Sequence, residues 1–64
     1  AIRSTIRKAL DGLGPEHRMV IELRIIKGYS TAETARIMNK KEGTVRVILY
    51  RALKKLAEIL GAKL

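Results

Sequence analysis

Three residues, Asn39-Lys40-Lys41, separate a short helical pattern from a long one, and this spacing constrains the architecture more than any other feature. A connection of that length between two helices is the geometry of a helix-turn-helix, whose helices cross at about 90–120°. The flanking residues fit it. Ser30 followed by Glu33 reads as a capping box that starts the short helix. Asn39 tolerates the left-handed backbone conformation that ends it. Ala35 is small enough to let a second helix cross closely, and Val45, ten residues on, is placed to plug the angle between them. Many small helical proteins contain a short corner of this kind, so the pattern alone does not assign a function.

The remaining punctuation also marks helix ends. Gly12 and Gly14 break a first periodic segment, and Pro15 suits the first turn of a second, where its missing N–H has no partner to lose. Gly28 can end that second helix and Gly61 the last. The spacing therefore predicts an all-α chain, a small four-helix domain with helices at about 2–11, 15–27, 31–38 and 42–60. Residues 1–64 read as one domain, with the helix-turn-helix at about 31–56. The start at Ala1 instead of Met is expected of a fragment or a processed domain. Apolar residues at three- and four-residue spacing predict the inward faces. These are Ile2, Ile6, Ala9, Leu10 and Leu13, then Met19, Val20, Leu23 and Ile26, then Val45, Leu49, Ala52, Leu53, Leu56 and Leu60. Ile21 and Ile25 fall off the second stripe, beside His17 and Arg24. An apolar pair one turn apart on a short helix suggests either a partner surface or incidental exposure.

A domain this small buries only about 60% of the surface its unfolded chain exposes, so its stability is expected to be marginal. With no Cys, no disulfide or cysteine-zinc site can staple it; with no Trp or Phe, the core must be aliphatic. No apolar run approaches the ~20 residues of a membrane span and no signal-peptide pattern opens the chain, so a cytoplasmic, nucleoid-associated location is expected. Catalysis is not expected. His17 is the only histidine, no carboxylate pair has acid–base spacing, and no glycine-rich phosphate loop is present. Nothing implies a cofactor, a metal or a small-molecule substrate. The charge is informative: 14 Lys and Arg stand against 6 Asp and Glu, net +8. Six basic and four acidic groups lie in residues 1–35, but eight basic and two acidic groups in 36–64. Such a balance implies attraction to a polyanion, either nucleic acid or an anionic membrane surface. The apolar face of the last helix is already needed for the core, which argues against a membrane partner.

That last helix has a second face. Gly43, Arg46, Val47, Tyr50, Arg51 and Lys54 recur at helical spacing opposite the core stripe, and residues 40–55 carry six basic groups against Glu42 alone. The first turns of a reading helix enter the major groove. Arg46 suits a bidentate contact to guanine or a phosphate contact, and Val47 on a polar face suits a thymine methyl. Glu42 or Thr44 can take a base amino group or cap the helix. Arg51, Lys54 and Lys55 lie later and suit phosphates. The bland alternatives are a merely solvated charged face and a pure protein-interaction module.

On these residues the chain resembles region 4 of bacterial sigma factors, and most of all the extracytoplasmic-function type. The resemblance runs through Leu13-Gly14-Pro15-Glu16-His17-Arg18-Met19-Val20-Ile21, Gly28-Tyr29-Ser30, Ala35-Arg36-Ile37-Met38, Glu42-Gly43-Thr44-Val45-Arg46 and Tyr50-Arg51-Ala52-Leu53-Lys54-Lys55-Leu56. LuxR-type effector domains share the Gly-x-Ser turn and the Thr-Val core, but usually lack the Gly-Thr with Arg-Ala combination. The resemblance implies recognition of the −35 element of double-stranded promoter DNA, docking on the β flap of the RNA polymerase core, and capture by an anti-sigma factor. It implies DNA-contacting roles for Glu42, Gly43, Arg46, Val47 and Arg51, with Tyr50 as a further position; Lys41, Thr44 and Lys54 complete the expected DNA-binding set from their own chemistry and place on the helix. It offers Ile21 and Ile25 as a partner surface, with Ile2 or Ile6 able to serve if the first helix docks loosely. Three residues depart from the pattern: Lys41 where a capping Ser is common, Thr34 where Ile is common, and Val47 where a small polar residue is common. Without that Ser, the reading helix is left to be capped by water or by the Thr44 hydroxyl.

Overall fold

In a computed structural model, the connection at 39–41 adopts the conformation its residues favour. Asn39 is left-handed (φ 55°, ψ 49°), and the Lys40 N–H bonds the Ala35 carbonyl at 2.8 Å, closing α3 (Thr31–Met38) and turning the chain into α4 (Glu42–Ile59). The structure describes residues 2–61, with side chains from Thr5 onward; the inward placement expected of Ile2 lies outside the described side chains. The capping box at the start of α3 is complete. The Glu33 N–H donates to Ser30 Oγ at 3.0 Å, and the Ser30 N–H donates to Glu33 Oε1 at 2.9 Å. Those bonds to Ser30 favour the carboxylate and hold the Glu33 carboxyl below its ordinary range.

The other two helices are α1 (Ile2–Asp11) and α2 (Pro15–Ile21), with Pro15 in the first turn after an extended Gly14. A single helix was expected over 15–27. Instead α2 passes into a π-helical segment, Glu22–Ile26, in which the Lys27 N–H reaches the Glu22 carbonyl five residues back. The left-handed Gly28 and a bond from the Tyr29 N–H to the Leu23 carbonyl then stop it. The Arg24 guanidinium donates to the Tyr29 carbonyl, tying the segment to the loop that follows. Arg18 links α1 to α2, donating to Asp11 at 2.7 Å and to Glu22 at 3.1 Å; both acids favour its charged form.

Helix α4 is the element on which α1, α2 and α3 all pack. The core is Leu10, Leu13, Val20, Ile21, Ala35, Val45, Ile48 and Ala52, with Met38, Leu49 and Leu56 half-buried against it. Val45 has no exposed surface and fills the helix-turn-helix angle as its position predicted. Complete burial of such a side chain contributes about 1.5–3 kcal/mol.

The inward face of α2 corrects the sequence expectation. Ile21 is only 3% exposed and belongs to the core, while Met19 and Ile26, expected inward, are exposed. His17, Val20, Ile21 and Arg24 stand at i, i+3, i+4 and i+7, so they share one helical face. Its two ends are half-buried polar residues, which draw the apparent apolar stripe away from the true one. On α4 the inward arc includes Ile48 and leaves Leu53 and Leu60 partly in solvent; Ile6 on α1 is likewise exposed.

Thr34, which stands where the resemblance has Ile, is fully buried, and its hydroxyl has no hydrogen-bond partner. An unsatisfied buried polar group costs about 1–3 kcal/mol. Thr34→Val, which keeps the volume and removes the hydroxyl, is expected to stabilise the fold by about 1 kcal/mol. In a domain of this size that is a rise of roughly 4–8 °C in the thermal midpoint. An unchanged or lower midpoint by circular dichroism would show that the hydroxyl finds a partner.

Candidate nucleic-acid interface

Packing of Val45, Ile48, Leu49, Ala52 and Leu56 against the other helices fixes which arc of α4 faces outward. At 100° per residue, Gly43, Arg46, Val47, Tyr50, Arg51 and Lys54 fall on that arc, and all six are exposed. Tyr50 is the most open aromatic at 69%, and Val47 is 48% exposed with no intramolecular reason to be apolar. Lys41, Glu42 and Thr44 are exposed at the start of the helix. All nine predicted DNA-facing residues therefore lie on one accessible helix or at its first turn.

The first turn is polar in an unusual way. Lys41 takes the extended N-cap conformation (φ −76°, ψ 151°), but no side chain caps the helix. The Thr44 hydroxyl forms no hydrogen bond, so it does not replace the missing cap. Helical geometry leaves the first N–H groups of α4 without intrahelical partners, and the helix dipole adds a partial positive charge there. Both favour an incoming anion. Gly43 adds to this. A Cβ built on it would meet nothing within 4 Å, so the fold does not require glycine at this exposed helical position.

Charge on the face is largely uncompensated. Arg46 is 67% exposed in its side chain and lies 3.7 Å from Glu42 one turn earlier, a loose pair that orients the guanidinium without removing it from solvent. Lys55 has a comparably loose contact with Glu58 at 3.9 Å. Arg51, Lys54 and Lys41 pair with no acid among the described residues. Sequence patterning missed two further cations: Arg36 on α3 and Lys40 in the turn face the same end of the molecule as Lys41 and line a common cleft with it. Their signal was the density of basic groups just ahead of Glu42.

The predicted partner surface divides. Ile21 is internal, as described above. Ile25 is 56% exposed, and its neighbour Ile26, expected in the core, is as open. The two sit in the π-helical segment, remote in sequence from the outward arc of α4.

Comparison with known proteins agrees with this architecture. A family model described as sigma-70, region 4 matches residues 3–56. The ECF RNA polymerase sigma factor BldN of Streptomyces coelicolor is 42% identical over 52 residues, covering 81% of this chain and 20% of that protein. The RNA polymerase sigma-E factor of the same organism is 40% identical over 63 residues, covering 98% of this chain and 36% of that one. The ECF RNA polymerase sigma factor SigM of Mycobacterium tuberculosis is 39% identical over 56 residues, covering 88% and 29%. Among solved structures, a chain of the RsbN–BldN complex superposes with a TM-score of 0.85 at 37% identity, covering 89% of this chain and 41% of that one. The chain thus spans between a fifth and about a third of the curated relatives it matches.

Proposed function

We propose a function from the premise that this chain belongs to the sigma-70 region 4 family, in its extracytoplasmic-function branch: it reads the −35 element of promoters through the major groove and so directs RNA polymerase to them. The observation that carries this is the outward arc of α4. It presents a fork (Arg46), an apolar spot (Val47), an aromatic (Tyr50) and trailing cations (Arg51, Lys54) from a rigid helix whose first turn is uncapped. Base-edge readers in front and phosphate binders behind is the division of labour that positions a helix in a groove. Glu42 and Thr44 flank the entry and are assigned to base amino groups or the backbone; Gly43 lets the backbone approach closely.

Protein partners are proposed on the opposite evidence, exposed apolar surface. Ile25 supports docking on the β flap of the polymerase core or capture by an anti-sigma factor. A relative solved together with a second protein, RsbN, supports the idea that this type of domain is held by partners.

The test is direct binding to duplexes. A duplex bearing a −35 element is expected to bind more tightly than a scrambled one, with affinity for both falling steeply as salt rises. Each neutralised phosphate contributes about −0.9 to the slope of log affinity against log salt. Equal affinity for the two duplexes at every salt concentration would remove sequence reading and leave an interaction module.

A further inference from the structure

We infer that Glu42 is a positioning residue for Arg46, whose carboxylate holds the guanidinium away from phosphates and directs its fork to a base edge. This rests on duplex reading by α4 and adds a source of selectivity to it. Arg46 Nη2 lies 3.7 Å from Glu42 Oε1, one turn earlier, and both side chains are more than half exposed. A pair this open contributes little to stability, so stability does not account for it. The helix dipole favours an acid in the first turn but does not choose its partner. The distribution of charge is more telling. Glu42 is the only acid among residues 40–55, against six cations. Of the three cations on the outward arc, Arg46, Arg51 and Lys54, only Arg46 pairs with an acid among the described residues. The acid therefore stands at the cation suited to a base edge and away from the two suited to phosphates.

Without Glu42 the start of α4 would attract anions with no selection. Its first N–H groups have no side-chain cap, Lys41 stands at the N-cap, and the dipole is positive there. An unpaired guanidinium one turn on would close on a phosphate of any sequence. The carboxylate changes this in two ways. It repels phosphate oxygens brought to the first turn, an element that weakens wrong complexes instead of strengthening the right one. It also limits the orientations of the fork. Arginine reads guanine only when two of its N–H donors meet O6 and N7 together, and a guanidinium already restrained loses less freedom in doing so. On guanine, Arg46 gives two donors to the base and keeps its carboxylate neighbour. On a phosphate, it must bring Glu42 against a like charge. Glu42 thereby weakens binding to every duplex, and least where Arg46 meets guanine.

The test is a double-mutant cycle, read with the −35 duplex, a scrambled duplex and −35 duplexes changed at single base pairs. Both residues are exposed, so the variants are expected to keep the fold. Glu42→Gln keeps the size of the side chain and removes its charge. Affinity for the scrambled duplex should rise about fivefold and that for the −35 duplex by about twofold or less. The lost preference should fall at one base pair. In the Arg46→Ala background the same substitution should raise both affinities equally and leave their ratio unchanged. Glu42→Asp keeps the charge but is one methylene shorter; it should relax the same base pair with no gain on the scrambled duplex. Unchanged preference in Glu42→Asp overturns positioning, because charge alone would then suffice. An equal rise for both duplexes in Glu42→Gln makes Glu42 a solvated charge and overturns the inference, with −35 reading intact. So does an effect on the ratio that persists without Arg46. Wild-type chain that does not distinguish the two duplexes overturns −35 reading itself, and the inference with it.

Discussion

Replacing Ile21 by Asp is expected to unfold the chain, whereas the same substitution at Ile25, four residues on, is expected to leave it folded. Ile21 is buried among Val20, Val45 and Ala52, and its loss forfeits about 1.5–3 kcal/mol of apolar burial. A carboxylate placed there must also lose its hydration without a partner, which adds several kcal/mol or forces it to stay protonated. A domain of this size has a total stability of roughly 3–10 kcal/mol, so the sum consumes most or all of it. Ile25 is more than half exposed, and a substitution there changes stability by about 0.5 kcal/mol or less. Thermal melts followed by circular dichroism check both. A cooperative melt retained by Ile21→Asp would show that the side chain can swing outward. If the exposed pair is a docking surface, Ile25→Asp should also abolish binding to a polymerase flap fragment without changing duplex affinity.

The contrast between these two isoleucines marks where the amino-acid pattern stopped being sufficient. Helix ends were legible because they are chemical: Ser30 with Glu33, Asn39, Gly28 and Pro15 each impose a backbone conformation, and each does so in the structure. Helix rotation is different. It depends on which residues the neighbouring helices can cover, and α2 turns inward a face whose ends are His17 and Arg24. A long polar side chain can lie along a core and bring its charged end to a carbonyl, as Arg24 does at Tyr29. Counting apolar residues therefore misplaces the stripe and exposes Ile21 on paper. The π-helical segment left no trace in composition at all, because its five residues are ordinary helix formers. The outward arc of α4 was better determined. Its inward stripe is long, continuous and bounded by charge, so no neighbour's geometry was needed to orient it. At Lys41 the sequence departs from a common capping Ser and the structure supplies no side-chain cap in its place, while Gly43 stands in open space where the fold would accept a side chain.

That last property gives the reading helix its most discriminating test, in which stability and affinity move in different directions. Arg46→Ala is expected to leave the fold unchanged, because the side chain is two-thirds exposed and its contact with Glu42 is loose. Duplex affinity should nonetheless fall by about 1–3 kcal/mol if the guanidinium spans a guanine edge, roughly five- to 150-fold, with the preference at one base pair relaxed. Were Arg46 a phosphate binder, the loss would instead be equal for all duplexes and the salt slope would drop by about 0.9. Gly43→Ala should raise the stability of α4 by up to about 1 kcal/mol, since alanine is the better helix former and the space is open. If the backbone at Gly43 closes on DNA, the added methyl group fills the gap that binding needs, and affinity falls while the melting temperature rises. A glycine kept for flexibility of the turn would show the reverse linkage, with affinity and stability rising together as the helix start becomes better ordered. Measured on the same preparation, the two substitutions separate a helix shaped to read DNA from a basic helix that is merely well solvated, because only the former penalises a stabilising methyl group.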